Sequence, residues 1–158
     1  MRRLSILAVA AALAAGAAGC GGDSGQTLRL VSDTGTVETV DVGKQGKSRG
    51  DVYVFDAQVF DENEQNVVGH VEGTQTSLRV ESDEEVVQAL MTFTLGAGDT
   101  LTVGGVSRYP RGEVGLVRNR EHVRPILGGT GKYAGARGQD VTVRRSDGRY
   151  EHTLDIAD

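Results

Sequence analysis

Gly128-Gly129-Thr130-Gly131-Lys132-Tyr133-Ala134-Gly135-Ala136-Arg137-Gly138 gathers five glycines around one aromatic residue. Glycines this closely spaced permit positive φ and close strand approach. Gly128 to Gly131 can therefore turn a corner at the rim of a sheet while Tyr133 plugs one end of the core. A phosphate loop is excluded. The pattern G-x-x-x-x-G-K-[ST] fails at Ile126 and Tyr133, and a strand at Val141 follows where that motif needs a helix.

Outward from this corner, apolar residues alternate with period two. The sets are Leu28 and Leu30; Tyr53, Phe55, Ala57 and Val59, opposite Val52 and Val54; Ala89, Met91, Phe93 and Leu95; Leu101 and Val103; Val141 and Val143; and Tyr150, His152, Leu154 and Ile156. Each set lines one face of a strand. Turn-forming residues separate them, at 61–66, 81–85, 96–99 and 146–148. Residues 83–90 also fit two helical turns, but the strand pattern that continues through Leu95 takes precedence. Seven to nine strands at hairpin spacing predict an all-β antiparallel sandwich or barrel. Closure into a barrel is favoured because it removes exposed edges, and eight strands enclose room for one small ligand.

The chain has 158 residues, the size of one domain, and 17 Lys and Arg against 22 Asp and Glu give a net charge of −5. An acidic chain lacks the clustered positive charge that phosphate recognition needs, so nucleic acid is not an expected partner. A single Cys excludes an internal disulfide and a Cys-rich zinc site. Arg2 and Arg3, an apolar run from Leu4 to about Leu13 and small residues up to Cys20 read as a secretory signal. The apolar run is shorter than the ~20 residues of a spanning helix. Ala17-Ala18-Gly19-Cys20 resembles a bacterial lipobox, by which Cys20 would receive a diacylglycerol at the new N-terminus. The expected organisation is a lipoprotein signal peptide at 1–19, a lipidated Cys20 with a small polar tether at 20–26, and the β-barrel at 27–158.

Three segments together are similar to the allene oxide cyclase and dirigent barrel family. Gly50-Asp51-Val52-Tyr53-Val54-Phe55 resembles its first barrel strand, and Val68-Gly69-His70-Val71-Glu72-Gly73-Thr74 resembles its V-G-x-x-x-G strand. Residues 128–138 match its most specific motif, G-G-T-G-x-[FY]-x-x-A-R-G, through Gly128, Gly129, Thr130, Gly131, Tyr133, Ala136, Arg137 and Gly138. The resemblance implies an eight-stranded antiparallel β-barrel with a central apolar cavity, usually trimeric, so a homotrimer is expected. Plant members of the family position reactive intermediates with inward acidic, Arg and Tyr residues. The candidates of those types are Asp51, Tyr53, Arg137 and Tyr150. Arg137 is expected to pair with a nearby carboxylate and pin its loop. Lys132 stands where some plant members carry an acid.

Alternation points Tyr53, Phe55, Phe93 and Leu154 into one apolar interior, which makes them the expected ligand-binding residues. His70 and Glu72 share a strand face, but His122 and His152 do not complete a metal-ligand spacing, so neither a metal nor another cofactor is expected. No Ser lies in a nucleophile-elbow context and Cys20 would be consumed by lipid, which leaves covalent hydrolase chemistry without a visible nucleophile. The reading is an exported barrel, held by lipidated Cys20 at the outer face of the membrane, that binds a small apolar or phenolic molecule; the alternative for its location is ordinary secretion after cleavage at Ala15 to Ala18, with Cys20 incidental. Its alternatives are a cyclase or isomerase that steers a reactive intermediate, and a non-catalytic structural module. Two acyl chains are needed for stable membrane attachment. Cys20→Ala should therefore move the protein from the membrane to the soluble fraction on cell fractionation; retention of the processed variant in the membrane would refute lipidation.

Overall fold

The computed structural model describes residues 25–111 and 115–157. The signal segment, Cys20 and the first residues of the tether lie outside them. Nine strands follow in order: β1 (Gln26–Ser32), β2 (Thr36–Val40), β3 (Val52–Asp61), β4 (Val67–Val80), β5 (Glu84–Leu95), β6 (Asp99–Pro110), β7 (Glu121–Gly129), β8 (Arg137–Arg144) and β9 (Tyr150–Ala157). Among the described residues a single 3-10 turn, Gly131–Tyr133, interrupts them. From β3 to β9 each strand pairs antiparallel with the next, and β1 joins the two ends. One edge of β1 pairs with β9 from Gln26↔Ile156 to Ser32↔Tyr150, and the other pairs with β3 at Leu30↔Asp61, Val31↔Phe60 and Ser32↔Val59. The chain then bends at residues 33–35, and β2 continues along β3 from Thr36↔Asp56 to Val40↔Val52. β1 and β2 are thus one bent stave, and the barrel is a closed antiparallel one of eight staves.

The alternation read from the sequence sets the inward faces. Val59, Phe93, Leu101, Val103 and Leu154 are fully buried, and with Leu30, Val71, Met91, Ile126 and Tyr133 they form the main core. Residues 83–90 extend into β5 rather than a helix. β8 alternates as expected, but its polar set points inward. Asp140 and Thr142 are buried while Val141 and Val143 are only half-buried on the outer wall. In the register Asp140 stands opposite inward Arg124 of β7, and Thr142 links the two by accepting from Arg124 and donating to Asp140, so this polar set is hydrogen-bonded inside the barrel.

Glycines act where chains approach closely. A Cβ on Gly73 of the V-G-x-x-x-G strand would stand 2.3 Å from the Leu90 carbonyl oxygen and 2.8 Å from the Phe55 ring. In the glycine-rich corner Gly131 has φ +61°, and a Cβ there would lie 1.9 Å from Asp99 Oδ1, which accepts the Lys132 backbone N–H at 3.2 Å. That corner tucks Tyr133 under the barrel as the floor of the main core. At the closing seam, Glu64 in the β3–β4 turn takes hydrogen bonds from Arg145 and Arg149 of the β8–β9 turn.

Phe93 is fully buried in the middle of this core. Phe93→Ala should lower unfolding free energy by about 3–5 kcal/mol in a denaturant titration; a loss under about 0.5 kcal/mol would contradict the register of β5.

Candidate functional site

The lower half of the barrel is filled with side chains. Above it, a smaller cluster of Val87, Tyr109 and Leu116, with Tyr150 packed against it, covers the other end. A cavity lies between, with about 80 Å³ of room for water centres, against the ~10–15 Å³ that one water requires. Phe55, Ala57, Val71, Ala89, Met91 and Leu116 make its apolar wall. It reaches the surface beside Thr34 and Val37, where β2 has no partner on its outer edge.

One level of the wall is polar. Arg124 is buried, with Nη2 donating to Ser107 Oγ at 2.8 Å and Nη1 to Thr142 Oγ1 at 3.3 Å. Thr142 in turn donates to Asp140 Oδ2 at 2.7 Å, and the same carboxylate oxygen lies 3.3 Å from His152 Nδ1. The other imidazole nitrogen, Nε2, is 3.2 Å from Ser32 Oγ. The His152 ring meets Phe93 edge-on at 4.9 Å. Ser32, Arg124, Thr142 and His152 line the cavity together with Tyr109 and Tyr150. Burial pushes the Tyr109 hydroxyl up to about 12, against the opposing pull of Arg124, and burial likewise raises Tyr150. Both phenols are therefore neutral hydrogen-bond donors at neutral pH. Arg124 Nε and Asp140 Oδ1 are buried without a partner. The belt thus offers a cation, phenolic donors and a carboxylate-oriented imidazole beside an apolar wall, enough to bind and orient a small molecule through a polar group.

Of the residues expected from the sequence, the structure brings Phe55 and Tyr150 to this cavity. Phe93 and Leu154 lie in the packed core rather than on the cavity wall, because the lower barrel leaves no space beside them. Tyr53 also points inward, but its hydroxyl donates to Glu85 Oε1 at 3.0 Å. Glu85 is fully buried and also accepts from Ser77 Oγ at 2.6 Å and Lys47 Nζ at 2.9 Å. Burial pushes its carboxyl up, but these three donors hold it below the ordinary glutamate value. Asp51 caps the preceding loop, accepting the backbone N–H of Val42 at 3.0 Å and of Ser48 at 2.7 Å, which hold it below the usual aspartate range. Arg137 is exposed at the rim, and its partners are backbone carbonyls of Leu127 and Ala136 at 3.2 and 2.7 Å rather than the carboxylate expected. It anchors the glycine-rich corner from outside the cavity. Ser32, Ser107, Arg124, Asp140 and Thr142 were not singled out from the sequence. Their one signal is a polar residue at an inward position, which alternation alone does not join across strands.

An acid whose folded pKa is depressed stabilises the fold above its unfolded value and loses that contribution as pH falls through the folded one. The loop cap at Asp51 should therefore weaken below about pH 4. Asp51→Asn should melt lower than wild type at pH 7 and show a smaller further drop at pH 3; equal melting temperatures at pH 7 would remove Asp51 from this role.

The family described as "Dirigent-like protein" matches residues 24–154. Compared with curated proteins by sequence, the chain has no significant match. Among solved structures, it is similar to "Pyocyanin demethylase", with 22% identity over 83% of this chain and 99% of that one and a TM-score of 0.67. The pterocarpan synthase dirigent protein PsPTS1 shares 22% identity over 85% and 95% of the two chains, with a TM-score of 0.61. The Diels Alderase AbmU from Streptomyces koyangensis shares 18% over 87% and 70%, with a TM-score of 0.62. At these identities the solved structures show a common barrel. With the family match spanning most of the sequence and the glycine-rich corner in place at the foot of an eight-stave barrel, the chain belongs to the dirigent-like family.

Proposed function

We propose that the upper barrel binds one small apolar or phenolic molecule, its rings against Phe55, Val71, Met91 and Leu116 and its polar group at the level of Arg124. The observation that carries this reading is the cavity's division into an apolar wall and a single polar belt, the arrangement by which small-molecule sites combine affinity with orientation. A wholly filled barrel would have favoured a structural module. The belt also supports a second reading, the steering of a cyclisation or coupling, because fixed donors beside an apolar wall hold a flexible intermediate in one reactive conformation. A heme-binding cyclase that catalyses a [4 + 2] cycloaddition and the pterocarpan synthase dirigent protein PsPTS1 have a similar barrel. We further propose that the protein works outside the cytoplasm, held to the membrane through Cys20. A homotrimer would cover the outer wall, where Leu90 and Leu127 meet over Gly104 and Val106 and Val123 are exposed.

Ala89 is buried on the cavity wall, and a larger side chain there would occupy the ligand's space. Ala89→Phe should abolish binding of 4-nitrophenol measured by calorimetry while costing about 1–3 kcal/mol of stability. Undiminished binding to a folded Ala89→Phe variant would move the ligand out of the barrel.

A further inference from the structure

We propose that Ser32, His152 and Asp140 form an acyl-accepting triad on the cavity wall, suited to small aryl or short-chain esters. This rests on the reading that the cavity admits a small molecule. The three residues come from neighbouring staves β1, β9 and β8. In the register, His152 stands opposite Leu30 on one side and Thr142 on the other. Ser32 and Asp140 are each two residues from those partners and so share the inward face. Ser32 Oγ is 3.2 Å from His152 Nε2, and Asp140 Oδ2 is 3.3 Å from Nδ1. A carboxylate accepts only, so it selects the Nδ1–H tautomer and leaves the Nε2 lone pair for the Ser32 hydroxyl proton. These distances are at the long end of those found for such a nucleophile and base before substrate binds.

Three further features support the arrangement. Thr142 donates to the same Asp140 oxygen at 2.7 Å, and Phe93 sets the plane of the imidazole by edge contact. Ser32 and His152 line the cavity while fully buried Asp140 lies behind them, so nucleophile, base and orienting acid follow in order from the cavity outward. Arg124 lines the same cavity and joins the triad through Thr142, at the Asp140 end. Ser77 shows how this barrel buries a serine for structure alone, donating directly to Glu85 with no imidazole between them. Ser32 faces a base instead.

In the step proposed, Ser32 Oγ bonds to the ester carbonyl carbon as its proton passes to His152 Nε2, and the carbonyl π pair moves onto oxygen. Collapse breaks the bond to the leaving alcohol or phenol, which takes the proton from Nε2. Water then repeats the sequence on the acyl-Ser32 and releases the carboxylic acid.

Phenylmethanesulfonyl fluoride tests the triad directly, because Ser32 Oγ would displace fluoride from sulfur and the adduct can be located by peptide mass spectrometry. Ser32 should react about 10²-fold faster than exposed Ser146, and His152→Gln and Asp140→Asn should each remove most of that advantage. 4-Nitrophenyl acetate should give a burst of nitrophenol equal to the protein and an acetyl group on Ser32. Wild-type protein whose Ser32 reacts no faster than Ser146 overturns the proposal whatever the variants do. So does undiminished labelling in a folded His152→Gln variant. If 4-nitrophenol binds while Ser32 is inert, the triad falls and the binding site stands; if it neither binds nor Ser32 reacts, both fall.

Discussion

The barrel depends on Leu30, Val31 and Ser32 being hydrogen-bonded along both edges, to β9 on one side and to β3 on the other. Without those pairs the sheet is open, with two unpaired edges and its inward residues facing water. Closure joins segments some 120 residues apart, at an entropic cost that grows only slowly with that separation. Its compensation is cooperative, since one seam completes the burial of every inward side chain in the lower barrel. Glu64 lies beside that seam and binds both Arg145 and Arg149, tying the β3–β4 turn to the β8–β9 turn.

The same seam produces the cavity. β1 pairs with β3 over only three residues, Leu30 to Ser32, before the bend at 33–35 carries β2 away from β9, so the wall parts above that level; below Leu30 the edge of β1 runs past the end of β3 and a groove opens against the β3–β4 turn. Below the bend, Phe93, Leu101 and Leu154 leave no gap. Above it Phe55 and Met91 share the interior with polar Arg124 and His152, and the end is covered by Tyr109, Leu116 and Tyr150 instead of being filled. Ser32 is the last residue of β1, which places it at the boundary between packed core and open space.

Glu85 and Asp140, both fully buried, have opposite consequences. Glu85 has donors from three side chains, including the cation of Lys47, and its charge is spent on holding the loop before β3 against β5. Asp140 has Thr142 and His152 at one oxygen and no partner at the other. Buried polar groups that are fully satisfied rigidify a core, whereas one left short of a partner bears an energetic cost in a low-dielectric place. The first cluster is architectural, and the second is the one on which the proposed chemistry rests.

Alternation in the sequence was enough for β1, β3, β5, β6 and β9 with their inward faces, and the motifs were enough for the family; β8 was legible as a strand, but Asp140 and Thr142 rather than Val141 and Val143 face its interior, and β2 and β7 left no such pattern. Period-two alternation is a local property, and the glycine-rich corner requires conformations and close approaches that other residues cannot adopt. It also identified Tyr150 and Phe55 as inward residues that reach the cavity. It did not determine which inward residues face empty space, because Phe93 and Phe55 carry the same side chain in the same alternation and differ only in what stands across the barrel. Nor did it assemble the belt. Ser32, Arg124, Asp140 and His152 are scattered over 121 positions of a 158-residue chain, and each looks alone like a polar interruption of an apolar face. Strand order and register brought them together, and those are set by pairing energies summed over the whole closed sheet rather than by any local stretch of chain.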